Sequence, residues 1–235
     1  MEKHITYYVL LANCIGSSYY SKRKVVSLIN MEIIEYLNEI RRKNGFLLIN
    51  EVVELAKYNT VYDIFSILIS KQVIIGKGNT IYPNVIIECN DEHGIIIGDN
   101  NILFNGCSIK AKGGKIEIEN HNEIGENGAF IFSLENEVKI RNNCRLMNGV
   151  QILDGCIIGD GCQVLGNIKA VKCILKDGES YKWDNPNMRG GVLKGFGNAI
   201  ELVVDKGEVI FGKGLLKKDM IEKQEKYHPN WKDKK

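Results

Sequence analysis

No stretch of this chain reaches the roughly 18 consecutive apolar residues that a membrane-crossing helix needs, so no helical span is expected. Neither charge is in excess: 31 Lys and Arg face 29 Asp and Glu, for a net charge of +2. Such a balance supplies no global field for nucleic acid or an acidic membrane surface. Lysine gathers only near the end, with eight Lys against four acids in residues 213–235, and a solvated tail accounts for it. Proline is scarce, at 3 residues against 24 glycines, and the 4 histidines make a short list of possible bases. The 7 cysteines are odd in number and follow no clear secretory signal, so reduced thiols in a cytoplasm are expected. The opening "MEKHITYYVLLANC" sets Cys14 after a short apolar run, loosely like a lipoprotein cleavage site. Asn13 stands where Gly or Ala is usual there, and a plain buried segment is the expectation.

What the chain does hold is a repeat. In steps of six from residue 140 come Ile140, Leu146, Ile152, Ile158 and Val164, all aliphatic. Four residues after each come Cys144, Val150, Cys156, Cys162 and Ile168, all apolar and small or middling. Three residues after each come Asn143, Gly149, Gly155, Gly161 and Asn167. A fixed period with fixed chemistry in each column marks a repeat architecture. The Gly/Asn column predicts a left-handed backbone at each turn, which glycine adopts freely and asparagine better than most. Upstream, the turn column reads Gly78, Asn84, Asn100, Gly106, His121 and Asn127. Coil starts fall at Ile75, Ile97, Ile118, Ile140 and Ile158, so those five side chains should share one inward column. The coil therefore has three sides, with surplus residues leaving after the third hexad, at a single corner. Cys107, Cys144, Cys156 and Cys162 occupy the small inward column and do not converge as four zinc ligands must.

The stretches "IIGKGNTIYPNV", "IIIGDNNILFNGCSI", "EIGENGAF" and "CIIGDGCQVLGNI" resemble the hexapeptide-repeat family, over residues 73–175. The resemblance implies a left-handed parallel β-helix, a homotrimer with active sites between subunits, and acyl transfer from acetyl-CoA as cosubstrate. It also implies a histidine base near a coil corner. Where that histidine would stand, in "IGENGAFIFSLENE", the chain has Phe132, Ser133, Leu134 and Glu135. The related γ-class carbonic anhydrases hold a metal on three histidines. The corresponding positions here fall near Ser108, Glu126 and residues 130–132, so no metal is expected.

Two histidines remain as candidate catalytic residues. His121 occupies a turn position, where histidine is tolerated but uncommon. His93, in "NDEHG", has Asp91 and Glu92 beside it to orient it and raise its pKa. His4 and His228 have no supporting constellation. In a trimer, Glu126 or Glu135 would serve as the orienting carboxylate.

Outside the repeat, Val26, Ile29, Ile33, Leu37 and Ile40 predict a helix over residues 20–43. Residues 50–70 read as one or two more helices that cap the first coil, since helix-turn-helix spacing is poor. "KDGESYKWDNPNMRGG" reads as a loop, "RGGVLKGFG" as a tight loop, and "AIELVVDKGEVIFG" as one or two closing strands. Residues 215–227 read as a terminal helix. The expected division is a helical cap over 1–72, a β-helix over 73–214, and a C-terminal helix with a basic tail over 215–235. The fold class is mainly β. The expected function is an acetyl-CoA-dependent acyltransferase for a sugar or other small polar acceptor. A non-catalytic β-helix binding or assembly module is the alternative, and end-to-end filaments a weaker third.

Overall fold

The computed structural model describes residues 19–92 and 94–233, with the side chains of residues 19–30 and 233 left aside. The segment with Cys14 and His4 lies outside the described residues, and so does His93. The chain winds as a parallel β-solenoid with three faces. The first face stacks β1 (Thr60–Val61), β4 (Thr80–Ile81), β7 (Ile102–Leu103), β10 (Glu123–Ile124), β13 (Arg145–Met147) and β16 (Gln163–Leu165). The second stacks β2 (Leu68–Ile69), β5 (Ile86–Cys89), β8 (Ser108–Ala111), β11 (Ala129–Ser133), β14 (Val150–Leu153) and β17 (Ile168–Val171). The third is a sheet of 7 strands: β3 (Ile74–Ile75), β6 (Ile95–Ile97), β9 (Ile116–Ile118), β12 (Val138–Ile140), β15 (Ile157–Ile158), β18 (Ile174–Leu175) and β20 (Val203–Val204).

The inward column is in register as the period requires. Ile75, Ile97, Ile118, Ile140 and Ile158 pair in succession, and Leu175 and Val204 continue the line. Above Ile75 each of these is buried, and each contributes on the order of 2 kcal/mol through removal from water. The turn column behaves likewise. Asn84, Asn100, His121, Asn127 and Asn143 all have φ between 58° and 61°. Asn167 departs from the rule, because Gly166 takes the positive φ there.

The inward slot just after each third-face corner has a chemistry that hydrophobic patterning hides. It holds Asn59, Asn79, Asn101 and Asn122, all buried, and then Cys144 and Cys162. Each Oδ1 accepts from the backbone N–H of the next member: Asn79 N to Asn59 at 2.8 Å, Asn101 N to Asn79 at 2.8 Å, Asn122 N to Asn101 at 2.9 Å, Cys144 N to Asn122 at 2.8 Å. Asn79 and Asn101 donate onward to the carbonyls of Gly98 and Glu119, at 2.9 and 2.8 Å. In the later coils thiols replace these amides as donors. Cys144 Sγ lies 3.0 Å from Gly159 O and Cys162 Sγ 3.1 Å from Lys176 O. Burial pushes the Cys107 thiol up to about 12 and raises Cys144 and Cys162 as well. These cysteines are thus core residues, protonated at neutral pH. Among the described residues no group of three or more metal-ligating side chains comes together.

Three segments differ from the sequence-based expectation. The solenoid starts earlier than Ile75, because β1 and β2 fall within the stretch read as helical. Only α2 (Ile49–Leu55) is helix there. "RGGVLKGFG" is no tight loop. It belongs mostly to β19 (Val192–Ile200), which pairs with β16 and then with β17 and so joins two faces into one sheet. A side chain at Gly195 would meet Gly212 O at 1.9 Å, so stacked glycines let the backbones approach at this corner. The helix expected over 215–227 is replaced by two short 3-10 turns around β22 (Ile221–Lys223), which pairs antiparallel to β21 (Glu208–Leu215). That strand covers the last coil's open edge.

The other end is closed by the final turns of α1 (Tyr19–Lys43). Arg41 is 4% exposed and donates to the carbonyls of Leu47, Phe65 and Ile67 at 3.0 to 3.1 Å. Asn38 accepts from Ile49 N at 2.9 Å. Leu47 N donates to Ile69 O at 2.8 Å, so residues 45–47 lie along the first coil's edge. Of the described members of the apolar stripe of α1, Ile33 and Ile40 are exposed and Leu37 is half-buried.

Candidate functional site

His121 lies between β9 and β10, on the corner from the third face to the first. Its φ of 59° turns the chain through the corner, and its N–H donates to Asp99 O at 3.1 Å. The side chain is exposed, and no hydrogen bond to its ring occurs among the described residues. Asn100 and Asn143 stand before and after it in the column, with φ of 58° each.

A neighbouring row on the same corner locks successive coils together. Asp99 Oδ1 accepts from Lys77 N at 2.6 Å, Asn120 from Asp99 N at 2.7 Å, Asn142 from Asn120 N at 3.0 Å, and Asp160 from Asn142 N at 2.8 Å. His121 therefore sits on a corner whose backbone is well fixed.

The loop of residues 176–191 leaves from this corner, whereas the smaller insertions leave between the second and third faces. It folds back along the column. Gly178 N donates to Asp160 O at 2.9 Å, and a side chain at Gly161 would strike Glu179 O at 2.1 Å. Between loop and corner runs a polar groove. One part, of about 260 Å³, is lined by Asn100, His121, Glu123, Asn143, Tyr181 and Lys182 among others. A more open part, of about 630 Å³, adds Asp99, Asn120, Asn142 and Asp160. Such a groove offers amides and carboxylates to a polyhydroxylated molecule, with one imidazole to take a proton.

Glu123 does not serve that imidazole. It accepts from Tyr181 Oη at 3.2 Å and lies 3.3 Å from Arg145 Nε. The carboxylates expected to orient a base stand elsewhere within one chain: Glu126 on the corner from first to second face, Glu135 on the corner from second to third. Asp91 and Glu92 are exposed on that last corner too, in an earlier coil. His228, for which the sequence offered no constellation, has one: its Nε2 lies 3.2 Å from Arg189 Nη1, in a cleft described below.

The segment in which the family's histidine would be sought is a structural corner. Ser133 is buried and donates to Asn136 O at 2.8 Å. Asp154 Oδ1 accepts from the N–H groups of Leu134, Glu135 and Asn136 at 3.0, 2.9 and 2.8 Å, and Oδ2 from Asn136 Nδ2 at 2.7 Å. Burial raises the Asp154 carboxyl, but these hydrogen bonds outweigh it and bring the value from 3.8 to about 2. A depressed folded value gives stability above the ordinary pKa that is lost as pH falls through the folded one. Asp154→Ala should lower the melting temperature near neutral pH. The gap from wild type should then close as pH drops from about 4 towards 2. Thermal melts across that range check it; a gap independent of pH would show that the carboxylate's charge is not what holds the corner.

Residues 137–167 match the family described as bacterial transferase hexapeptide (six repeats). A comparison with curated proteins found no match. That stretch covers β12 to β16 and the coils that carry Cys144, Cys156 and Cys162. The match and the parallel solenoid together fit a hexapeptide-repeat, left-handed β-helix family.

Proposed function

We propose that this chain is an acyltransferase that moves an acetyl group from acetyl-CoA to a hydroxyl or amine of a sugar or similar small polar acceptor. The observation that carries the reading is the exposed His121 imidazole, set on a rigid corner of a hexapeptide-repeat solenoid and facing a polar groove. In this reaction the imidazole takes the acceptor's proton as the oxygen or nitrogen attacks the thioester carbonyl. The carbon–sulfur bond then breaks, and the leaving thiolate receives that proton. General-base assistance of this kind contributes about 100-fold or more to rate. His93 is the second candidate base, and the helical region before the solenoid acts as its cap. The reaction is followed as free thiol released from acetyl-CoA across a panel of sugar and amine acceptors. Release that requires an acceptor supports the proposal.

A homotrimer belongs to the same proposal, since Glu126 and Glu135 can approach His121 only from another subunit. Light scattering should give three times the chain mass; a stable monomer at micromolar concentration would remove the intersubunit site. One observation favours the rival reading of a non-catalytic module: the corner at Ser133 to Asn136 is committed to Asp154 and offers no base.

A further inference from the structure

The loop of residues 176–191 and the C-terminal segment enclose a second hollow, separate from the groove that holds His121. It is a cleft of about 240 Å³ on the outer surface of the first face. Three cations line it, Arg145, Arg189 and Lys194, with three aromatic side chains, Tyr181, Phe211 and Tyr227. None of its lining residues is acidic.

The cations are poorly compensated. Arg145 has an ion pair with Glu123 at 3.3 Å, yet its buried Nε makes no aligned hydrogen bond, and its guanidinium lies 4.3 Å over the Tyr181 ring. Arg189 Nε donates to Trp183 O at 2.8 Å, and its Nη1 lies 3.2 Å from Nε2 of His228, which also lines the cleft, so neither contact is with a carboxylate. Burial lowers its pKa, against a weaker opposing pull from the Asp184 charge. Among the described residues no carboxylate forms an ion pair with Arg189 or Lys194. Lys194 Nζ lies 5.5 Å from the Phe211 ring centre instead. Phe211 and Tyr227 meet edge to face, 6.0 Å apart, and both keep more than a third of their surface in solvent.

Like charges held together in a half-enclosed cleft repel one another, and an anion relieves that repulsion. Guanidinium forks match phosphate oxygens better than they match a point charge. Exposed aromatic faces beside them suit a flat ring, which stacks without needing hydrogen bonds of its own. We propose that this cleft binds a phosphate ester carrying a flat ring, a nucleotide-like ligand. Its phosphoryl oxygens lie on Arg189 and Lys194, and its ring lies against Phe211 and Tyr227. Tyr181 also lines the His121 groove, so such a ligand would sit beside that groove. The proposal does not depend on acyl transfer.

The test is calorimetric titration of the full chain with ADP, pyrophosphate and adenosine. ADP should saturate, and each fragment should bind more weakly. The Lys194 side chain is exposed and makes no hydrogen bond among the described residues, so Lys194→Glu should fold normally. It should weaken ADP by about tenfold or more. Lys169→Glu, exposed on the second face, should change nothing. The chain's 2 tryptophans, Trp183 and Trp231, lie on the segments that enclose the cleft, so their fluorescence should follow the same titration. Adding acetyl-CoA separates two sources of the ligand: displacement of ADP points to the donor's nucleotide half, and no displacement to a separate nucleotide. No saturable ADP binding would overturn the proposal. So would pyrophosphate binding as tightly as ADP, or Lys194→Glu binding ADP like wild type.

Discussion

His121→Ala should lower acyl transfer by about 100-fold or more, with little change in acceptor affinity, as loss of a general base does. Alanine alone would be an ambiguous test. It places an ordinary residue at a φ of 59°, where L-residues without a local hydrogen-bonding side chain lose about 1–2 kcal/mol. A distorted corner would then mimic a lost base. His121→Asn removes the ambiguity, because Asn100 and Asn143 already adopt that conformation on either side of it. The asparagine variant should melt like wild type and still lose turnover. Full activity in His121→Asn would make the histidine a turn former and nothing more. His93→Ala should cost less than either change at His121.

Arg41→Ala should produce the largest loss of stability, about 3 kcal/mol or more. The guanidinium is almost wholly buried and supplies donors to three carbonyls from two segments, Leu47 and the first-coil residues Phe65 and Ile67. Its removal leaves those carbonyls without partners and frees the last turns of α1 from the solenoid. Arg42→Ala is the control, because that side chain is exposed and its ion pair with Glu35 is a surface contact at 3.4 Å. Such a pair is worth about 0–1 kcal/mol. Denaturant unfolding of both variants separates the two cases. Equal, small losses would mean that Arg41 is not what closes the first coil.

The repeat is legible in the sequence because its inward slots and its turns accept few residue types. Isoleucine at 75, 97, 118, 140 and 158 and Gly or Asn at the turns carry the coil almost unaided. The polar column escapes such a reading for the opposite reason. Asn79, Asn101 and Asn122 look like breaks in an apolar pattern until their amides are seen bridging successive coils. Residues 60–69 lack the glycine of a hexad and follow the helical period of α2, so two short strands pass for helix. Arg41 sits in "RRKNG", which signals a helix end and conceals which arginine turns inward. Of the site, His121 is visible as the odd member of the turn column. The groove is not, because it exists only once residues 178–182 fold back across Gly161, and no local pattern encodes that contact. Arg145, Arg189 and Lys194 are scattered along the sequence and meet only through the stacking of the first face and the loop beside it.

Titration of acetyl-CoA into the full wild-type chain, followed by calorimetry in parallel with acceptor-dependent thiol release, tests the central claim most directly. Acyl transfer requires saturable binding of the thioester, and thiol release that begins on addition of a sugar or amine acceptor and falls about 100-fold in His121→Asn. No heat of binding and no thiol release with any acceptor would contradict it and leave a hexapeptide-repeat module without transferase chemistry.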